Sequence, residues 1–314
     1  MNQAKQGEVG VTCHLLNPTL DEIADLARAS EAAGADWLGL PDAFWWRDTW
    51  LLVAAALEAT DRIPVGPMVT NPFLRHSFHT AAALATLQDR YGDRLLIGLA
   101  AGGSEVSGAA GVDRRGAAER IEDLVTLLRR LGNGGPLDEA SGRTLEVPMR
   151  PLSITIAGRG NKVLRVGGRI ADHVLLWAIP DSDLDRIVGV VRSGGDAPLT
   201  WAPLVDVGPE GRERARVIAA YGVLNASKAL RASWGVDDEH YAAVREALVR
   251  GGASSAVALV PDHVLDDILV PDPDPKALAA RARSIGATDM AVPAFSIDSV
   301  PDRVAWARAV LTGI

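Results

Sequence analysis

The chain has one cysteine in 314 residues, Cys13, and few aromatic residues, about 5% of the total. A single thiol excludes an intramolecular disulfide, and it also excludes a zinc site built on several cysteines. No apolar run approaches the roughly 18 residues that a membrane span needs. Met1 to Glu8 is polar and has no apolar core of the kind a secretory leader carries, so a cytoplasmic protein is expected. Basic residues are outnumbered, 32 Lys and Arg against 40 Asp and Glu, which leaves a net charge of −8. That balance argues against nucleic acid as a partner. What remains is an ordinary globular composition, 48% hydrophobic and 23% charged, long enough to bury a full core. The small aromatic set is oddly distributed: 8 Trp against 3 Tyr and 4 Phe, with Trp45 and Trp46 side by side.

Short apolar runs alternate with stretches of helical periodicity. Strands are expected at Val9–Leu16, Asp36–Leu40, Ile63–Thr70, Leu95–Ala101, Leu152–Ala157, His173–Ala178, Leu199–Val207 and Met290–Ala294. Helices are expected at Leu20–Ala33, Thr49–Ala59, Ser77–Tyr91, Gly116–Leu131, Asn161–Ile170, Leu184–Arg192 and Val300–Leu311. Serial strand–helix units with near-continuously apolar strands imply a parallel sheet covered by helices. A (β/α)8 TIM barrel is the economical architecture, and an open doubly wound sheet is its rival. The whole chain, 1–314, reads as one domain, with a helical insertion after strand seven at about 209–274. Pro271, Pro273 and Pro275 suggest a rigid turn before the last βα unit.

In such a barrel the site forms from loops at the C-terminal ends of the strands. After strand two, Pro41 to Asp48 offers Asp42, Asp48, Arg47 and the aromatics Phe44, Trp45 and Trp46. This suits a planar ring and a polar substrate, although Asp48 would equally cap the next helix. Gly66 to Pro72 ends strand three with an unusual backbone and the short polar groups Thr70 and Asn71, or is simply a tight turn. Gly102 and Gly103 follow strand four and would let a ligand approach the backbone. Gly158-Arg159-Gly160-Asn161-Lys162 opens a helix after strand five and suits a phosphate. His14, at the end of strand one, is either an acid/base or filler. His76 and His79 lack a third ligand, so no metal is expected, and His173 at the opposite end reads as structural. Ser104 and Ser107 sit in no nucleophile elbow, which argues against a hydrolase.

Taken together, these segments resemble the bacterial-luciferase-like superfamily of flavin- and F420-dependent oxidoreductases. Within it the chain is similar to the F420-dependent methylenetetrahydromethanopterin reductase branch. The resembling stretches are Ala32 to Trp37, Arg47-Asp48, Val65 to His76 (VGPMVTNPFLRH), Thr80 to Gly103 and Gly158 to His173 (GRGNKVLRVGGRIADH). They span roughly residues 9–205, with a weaker echo at Val260–Asp267 and in the last βα unit.

The resemblance implies a barrel with an insertion after strand seven, coenzyme F420 or FMN at its C-terminal face, and a homodimer. It implies a cis peptide at Met68-Val69 behind the cofactor ring, Asp42 lining the ring pocket, and Gly158 and Gly160 holding the cofactor phosphate. Trp46, Thr70 and Asn71 are then expected at the ring, Gly102 and Gly103 near it, and Asn161 and Lys162 at the phosphate. His14, Asp42 and Glu105 are the candidate acid/base groups.

The chain also departs from the branch. Ala43 stands where a histidine is usual, Thr12-Cys13-His14 where an acidic residue is usual, and Ser104-Glu105 follows the strand-four glycines. The branch's substrate therefore does not carry over. Three functions follow: an F420-dependent oxidoreductase moving a hydride to or from a small organic substrate, an FMNH2-dependent monooxygenase, or a barrel that binds a ligand without catalysis.

Overall fold

A computed structural model describes residues 7–103, 108, 110–205, 211–270 and 274–313. Eight parallel strands form one sheet: β1 (Val9–Cys13), β2 (Trp37–Leu40), β3 (Val65–Pro67), β4 (Leu96–Leu99), β5 (Ser153–Ala157), β6 (His173–Trp177), β7 (Leu199–Ala202) and β10 (Ala287–Ala294). Their order is β3-β2-β1-β10-β7-β6-β5-β4. Bridges Val65–Leu95 and Thr70–Leu99 join the two ends. The sheet thereby closes into the expected (β/α)8 barrel.

The barrel helices are α1 (Leu20–Ala32), α2 (Thr49–Glu58), α3 (Ser77–Tyr91), α4 (Ala117–Gly132), α5 (Asn161–Ile170) and α6 (Asp181–Arg192). Local sequence starts and stops them. Thr19 Oγ1 accepts from the Glu22 N–H while Glu22 returns the bond to Thr19, a capping box at the head of α1. Gly34, just past the end of α1, takes φ +77°, which a side chain disfavours. Outward-facing strand residues pack on these helices, as Val11, Leu38 and Leu40 do with Ile23, Leu26 and Val53. On the far side Ile97, Leu99 and Ile154 pack with Leu84, Ile121 and Leu128.

The barrel interior is filled by Trp37, Met68, Leu96, Ala157, Leu175, Ala202 and Ala291. Two large side chains fit there because glycines face them. A Cβ on Gly10 would lie 2.0 Å from the Trp37 ring, and one on Gly98 would lie 2.4 Å from Met68 Sδ. A Cβ on Gly39 would lie 2.4 Å from Met68 Cβ.

Apart from strand ends that shift by up to three residues, as β1 stops at Cys13 rather than Leu16 and β10 starts at Ala287 rather than Met290, three segments differ from the sequence expectation. Strand seven stops at Ala202, because Pro203 has no N–H to continue the ladder. The chain then turns aside as β8 (Leu204–Val205), paired in parallel with β9 (Leu269–Val270). Strand three pairs only to Pro67; the Met68-Val69 peptide is cis, and Thr70 rejoins β4 by donating to Gly98 O at 2.9 Å. Pro275 is the first residue of a helix rather than part of a turn. It opens α12 (Pro275–Ile285), which Asp274 caps by accepting from the Lys276 N–H. Proline at that position forfeits no helical hydrogen bond and presets φ. Pro271 and Pro273 lie outside the described residues.

The insertion between β8 and β9 holds α7 (Gly211–Asn225), α8 (Lys228–Ser233), α9 (Asp238–Gly251), α10 (Ala253–Ala256), a 3₁₀ turn at Val257–Leu259 and α11 (Asp262–Ile268). Its apolar residues, among them Val223, Trp234, Leu248 and Ile268, pack on Ala178 and Leu204 at the barrel rim. The last helix, α13 (Val300–Thr312), returns beside β1. Among the described residues no helix is long and apolar enough to cross a membrane.

The interior packing carries a prediction. Gly10→Ala has no room beside Trp37, so it should destabilise the fold by about 1–3 kcal/mol. Urea titration checks this, and Trp37→Leu in the same chain should recover part of the loss.

Candidate active site

The C-terminal ends of parallel strands all point one way, so their following residues share one mouth. β2 and β3 supply its polar edge. Thr70 Oγ1 donates to Asp42 Oδ2 at 2.6 Å. Burial raises the Asp42 carboxyl above the usual range. The Thr70 hydrogen bond opposes that rise, the Asp48 charge adds to it, and the Arg75 charge offsets it. Met68 and Val69 sit directly before Thr70, and the Met68 side chain reaches into the barrel against Gly39 and Gly98. Asn71 is buried and its Oδ1 accepts from the N–H groups of Phe73 and Leu74 at 3.0 and 3.1 Å. Its carbonyl therefore shapes the turn.

The Pro41–Asp48 loop divides its residues between two roles. Asp48 caps α2, accepting from the Trp50 and Leu51 N–H groups. Arg47 ties the loop to its neighbour, its Nη1 donating to Asn17 O at 2.6 Å. The Trp46 N–H donates to Ala43 O at 2.8 Å and closes a turn that half-buries Trp46. Phe44 and Trp45 point to solvent, edge to face at 5.0 Å.

Small residues line the β4 and β5 side. Gly102 holds φ +78°, and its carbonyl accepts from Arg114 Nη1 at 2.6 Å. Gly103 is exposed beside it, and Glu105, Ser104 and Ser107 lie outside the described residues. After β5, Gly160 is the N-cap of α5, and no side chain caps that helix. Gly160, Asn161 and Lys162 are exposed, and a Cβ on Gly160 would meet nothing within 4 Å. Free N–H donors, a positive helix end and open space suit an anion. Asn161 spends its side-chain oxygen on Arg186 Nη1 at 2.9 Å. Arg159 turns inward instead, its Nη2 donating to Ala178 O at 2.8 Å, and burial pulls its pKa down to about 10.

The wall opposite is aromatic. The His14 N–H donates to Ala294 O at 2.9 Å, which carries the ring from β1 to the ends of β6 and β10. There His14 stacks on Trp177 at 4.4 Å and 13° and tilts against Phe295 at 5.4 Å. Burial and the Arg303 charge lower the His14 pKa to about 4. Trp177, Phe295 and Arg303 were not singled out from sequence. Strand alternation places Trp177 on the inward face of β6, two residues beyond the interior Leu175, and that pattern was available.

Other histidines serve the scaffold. His76 caps α3, its Nδ1 accepting from the Phe78 N–H at 3.2 Å. His173 lies at the closed end, 3.5 Å from Asp289, whose other oxygen accepts from the Glu8 N–H. No group of three potential metal ligands occurs among the described residues.

The model of the luciferase-like monooxygenase family matches residues 2–283, and the chain belongs to that family. Two similar relatives are 5,10-methylenetetrahydromethanopterin reductases. The one from Methanopyrus kandleri is 24% identical, covering 81% of this chain and 82% of its own. The one from Archaeoglobus fulgidus is 24% identical, covering 78% and 80%.

Solved structures share the fold. A coenzyme F420-dependent tetrahydromethanopterin reductase from Methanopyrus kandleri superposes with TM-score 0.75 at 19% identity, over 99% of both chains. An F420-dependent secondary alcohol dehydrogenase in complex with an F420-acetone adduct gives 0.73 at 17%, over 98% and 99%. An EDTA monooxygenase from Chelativorans sp. BNC1 gives 0.60 at 14%, over 98% and 94%.

The half-buried His14 ring yields a titration prediction. Its folded-state pKa is depressed below the unfolded 6.5, so the neutral ring contributes stability above pH 6.5 and the contribution is lost as pH falls toward 4. NMR of the imidazole nitrogens should show a neutral ring at pH 6 and a midpoint near 4. A midpoint at 6.5 would place His14 in water instead.

Proposed function

We propose that this protein is an F420-dependent oxidoreductase that moves a hydride to or from a small organic substrate. The observation that carries the reading is the pairing of two features across one mouth. One is the apolar Met68-Val69 segment beside the Thr70–Asp42 hydrogen bond; the other is the uncapped Gly158–Lys162 turn. Two F420-dependent enzymes among the solved structures, with TM-scores of 0.75 and 0.73, support F420 over a flavin.

The residues fit such a group. Met68 and Val69 form an apolar shelf for a planar ring, with Trp46 at its edge and Gly102 and Gly103 allowing close approach. The N–H groups of Gly160, Asn161 and Lys162 face open space where a phosphate docks, and the Lys162 ammonium suits the acidic tail of F420. When bound, F420 supplies a two-electron carrier that gives or takes a hydride at C5 of its ring. Thr70 orients the Asp42 carboxyl through Oδ2, which leaves Oδ1 to hold or release the accompanying proton. Burial keeps that carboxyl nearer neutrality than an exposed aspartate, as an acid/base group requires. His14 is neutral and packed flat on Trp177, so it shapes the substrate wall.

The site serves a different substrate from that of the methanopterin reductases. Ala43 is small and buried where the branch carries histidine, and the end of β1 presents His14 rather than a carboxylate. The protein acts in the cytoplasm as a homodimer. Support for the dimer comes from apolar residues exposed on consecutive segments: Leu16, Phe44, Trp45, Leu51, Leu74 and Phe78.

Fluorescence titration tests the cofactor: F420 should bind more tightly than FMN, and the reverse order would favour the monooxygenase reading. Gly160→Val should leave the melting temperature unchanged, because its Cβ meets nothing, yet weaken F420 binding at least about tenfold. Light scattering after gel filtration should show a dimer, and Leu51→Glu should shift it toward monomer; a monomeric wild type would refute the interface.

A further inference from the structure

Arg303 is the buried charge that the site described above leaves unexplained. It lies in the first turn of α13, is 7% exposed, and has no carboxylate partner among the described residues. Its Nε donates to Ser299 Oγ at 3.3 Å, while Nη1 is buried with no hydrogen-bond partner. The guanidinium carbon stands 5.4 Å from the centre of the Phe295 ring. Arg214, from α7 of the insertion, approaches the same ring at 5.8 Å and donates from Nη1 to Phe295 O at 2.9 Å. Two cations thus flank one ring at the end of β10. Burial, then the Arg214 charge, lower the Arg303 pKa. A buried cation with an unmade N–H and a like-charged neighbour costs free energy that an arriving anion would offset.

Phe295 also meets His14, which stacks on Trp177, so the two guanidiniums border the aromatic wall of the mouth. We propose that Arg303 anchors a carboxylate of the substrate, and that the substrate is a small carboxylic acid whose flat or apolar body lies against Phe295, Trp177 and His14. The word substrate rests on the oxidoreductase reading; the anion site itself does not. A carboxylate fits better than a phosphate, because the buried Nη1 of Arg303 is the one unpartnered donor group described there and Arg214 Nη1 is already engaged. The aromatic walls favour an uncharged body over a second anionic group.

Isothermal titration of the full-length protein with benzoate, its neutral isostere benzyl alcohol and inorganic phosphate tests the site. Benzoate should bind at least about tenfold more tightly than benzyl alcohol, the size expected of one charge-assisted hydrogen bond. Arg303→Gln should remove that preference and Arg303→Lys should retain part of it, with F420 affinity unchanged in both. Equal binding of benzoate and benzyl alcohol to the wild type, no benzoate binding, or tighter binding of phosphate that Arg303→Gln abolishes would overturn the proposal. That wild-type comparison decides the matter even where a variant misfolds. Benzoate preference without F420 binding would count against the oxidoreductase reading alone. F420 binding without benzoate preference would count against the carboxylate anchor alone.

Discussion

Every feature of the mouth stands on the packing of Trp37 and Met68 inside the barrel. A barrel of eight strands has room for side chains only in layers, and here glycines at positions 10, 39 and 98 clear the space for those two. The indole fills the lower layer. The thioether fills the next one and stops the interior short of the rim. Without the glycines, Met68 would be displaced, and with it the Met68-Val69 shelf and Thr70. Because Thr70 holds Asp42, a steric constraint deep in the barrel positions the Asp42 carboxyl at its mouth.

A second constraint is electrostatic. The mouth is half-buried, so it penalises every charge it contains. Asp42 moves toward its protonated form and His14 is neutral, both with burial as the leading cause. Arg159 meets the same penalty and answers it with a backbone carbonyl. Arg303 has no such answer in Nη1, and neither does Arg75 in its buried Nε. The two walls therefore differ in kind. One is polar, glycine-rich and open to an anion at the head of α5. The other is aromatic and cationic.

Most of the barrel was legible in the sequence, because strand and helix periods differ and glycines punctuate them. The span Ser77–Tyr91 and the span Asn161–Ile170 are helices with the expected bounds. The failures have local physical causes. Pro203 cut strand seven short, and Pro275 began a helix where a proline run suggested a turn. At the site, Asp42 and Thr70 were legible as polar groups at strand ends, but their mutual hydrogen bond was not, since 28 residues separate them. Trp177 was hidden by its apolar strand. Phe295 and Arg303 were hidden because their meaning depends on Arg214, which arrives from the insertion and is distant in sequence. The Trp pair proved divided: Trp46 is tucked toward the mouth, whereas Trp45 is 42% exposed and belongs to the outer apolar surface.

We propose that the Met68-Val69 segment after β3 and the head of α5 together seat one cofactor. A crystal structure of the protein with F420 tests it most directly. The deazaflavin ring is expected on Met68-Val69 with its edge toward Asp42, and the phosphate on the N–H groups of Gly160, Asn161 and Lys162. A ring stacked instead on the His14–Trp177 wall, or a phosphate bound away from α5, would contradict it.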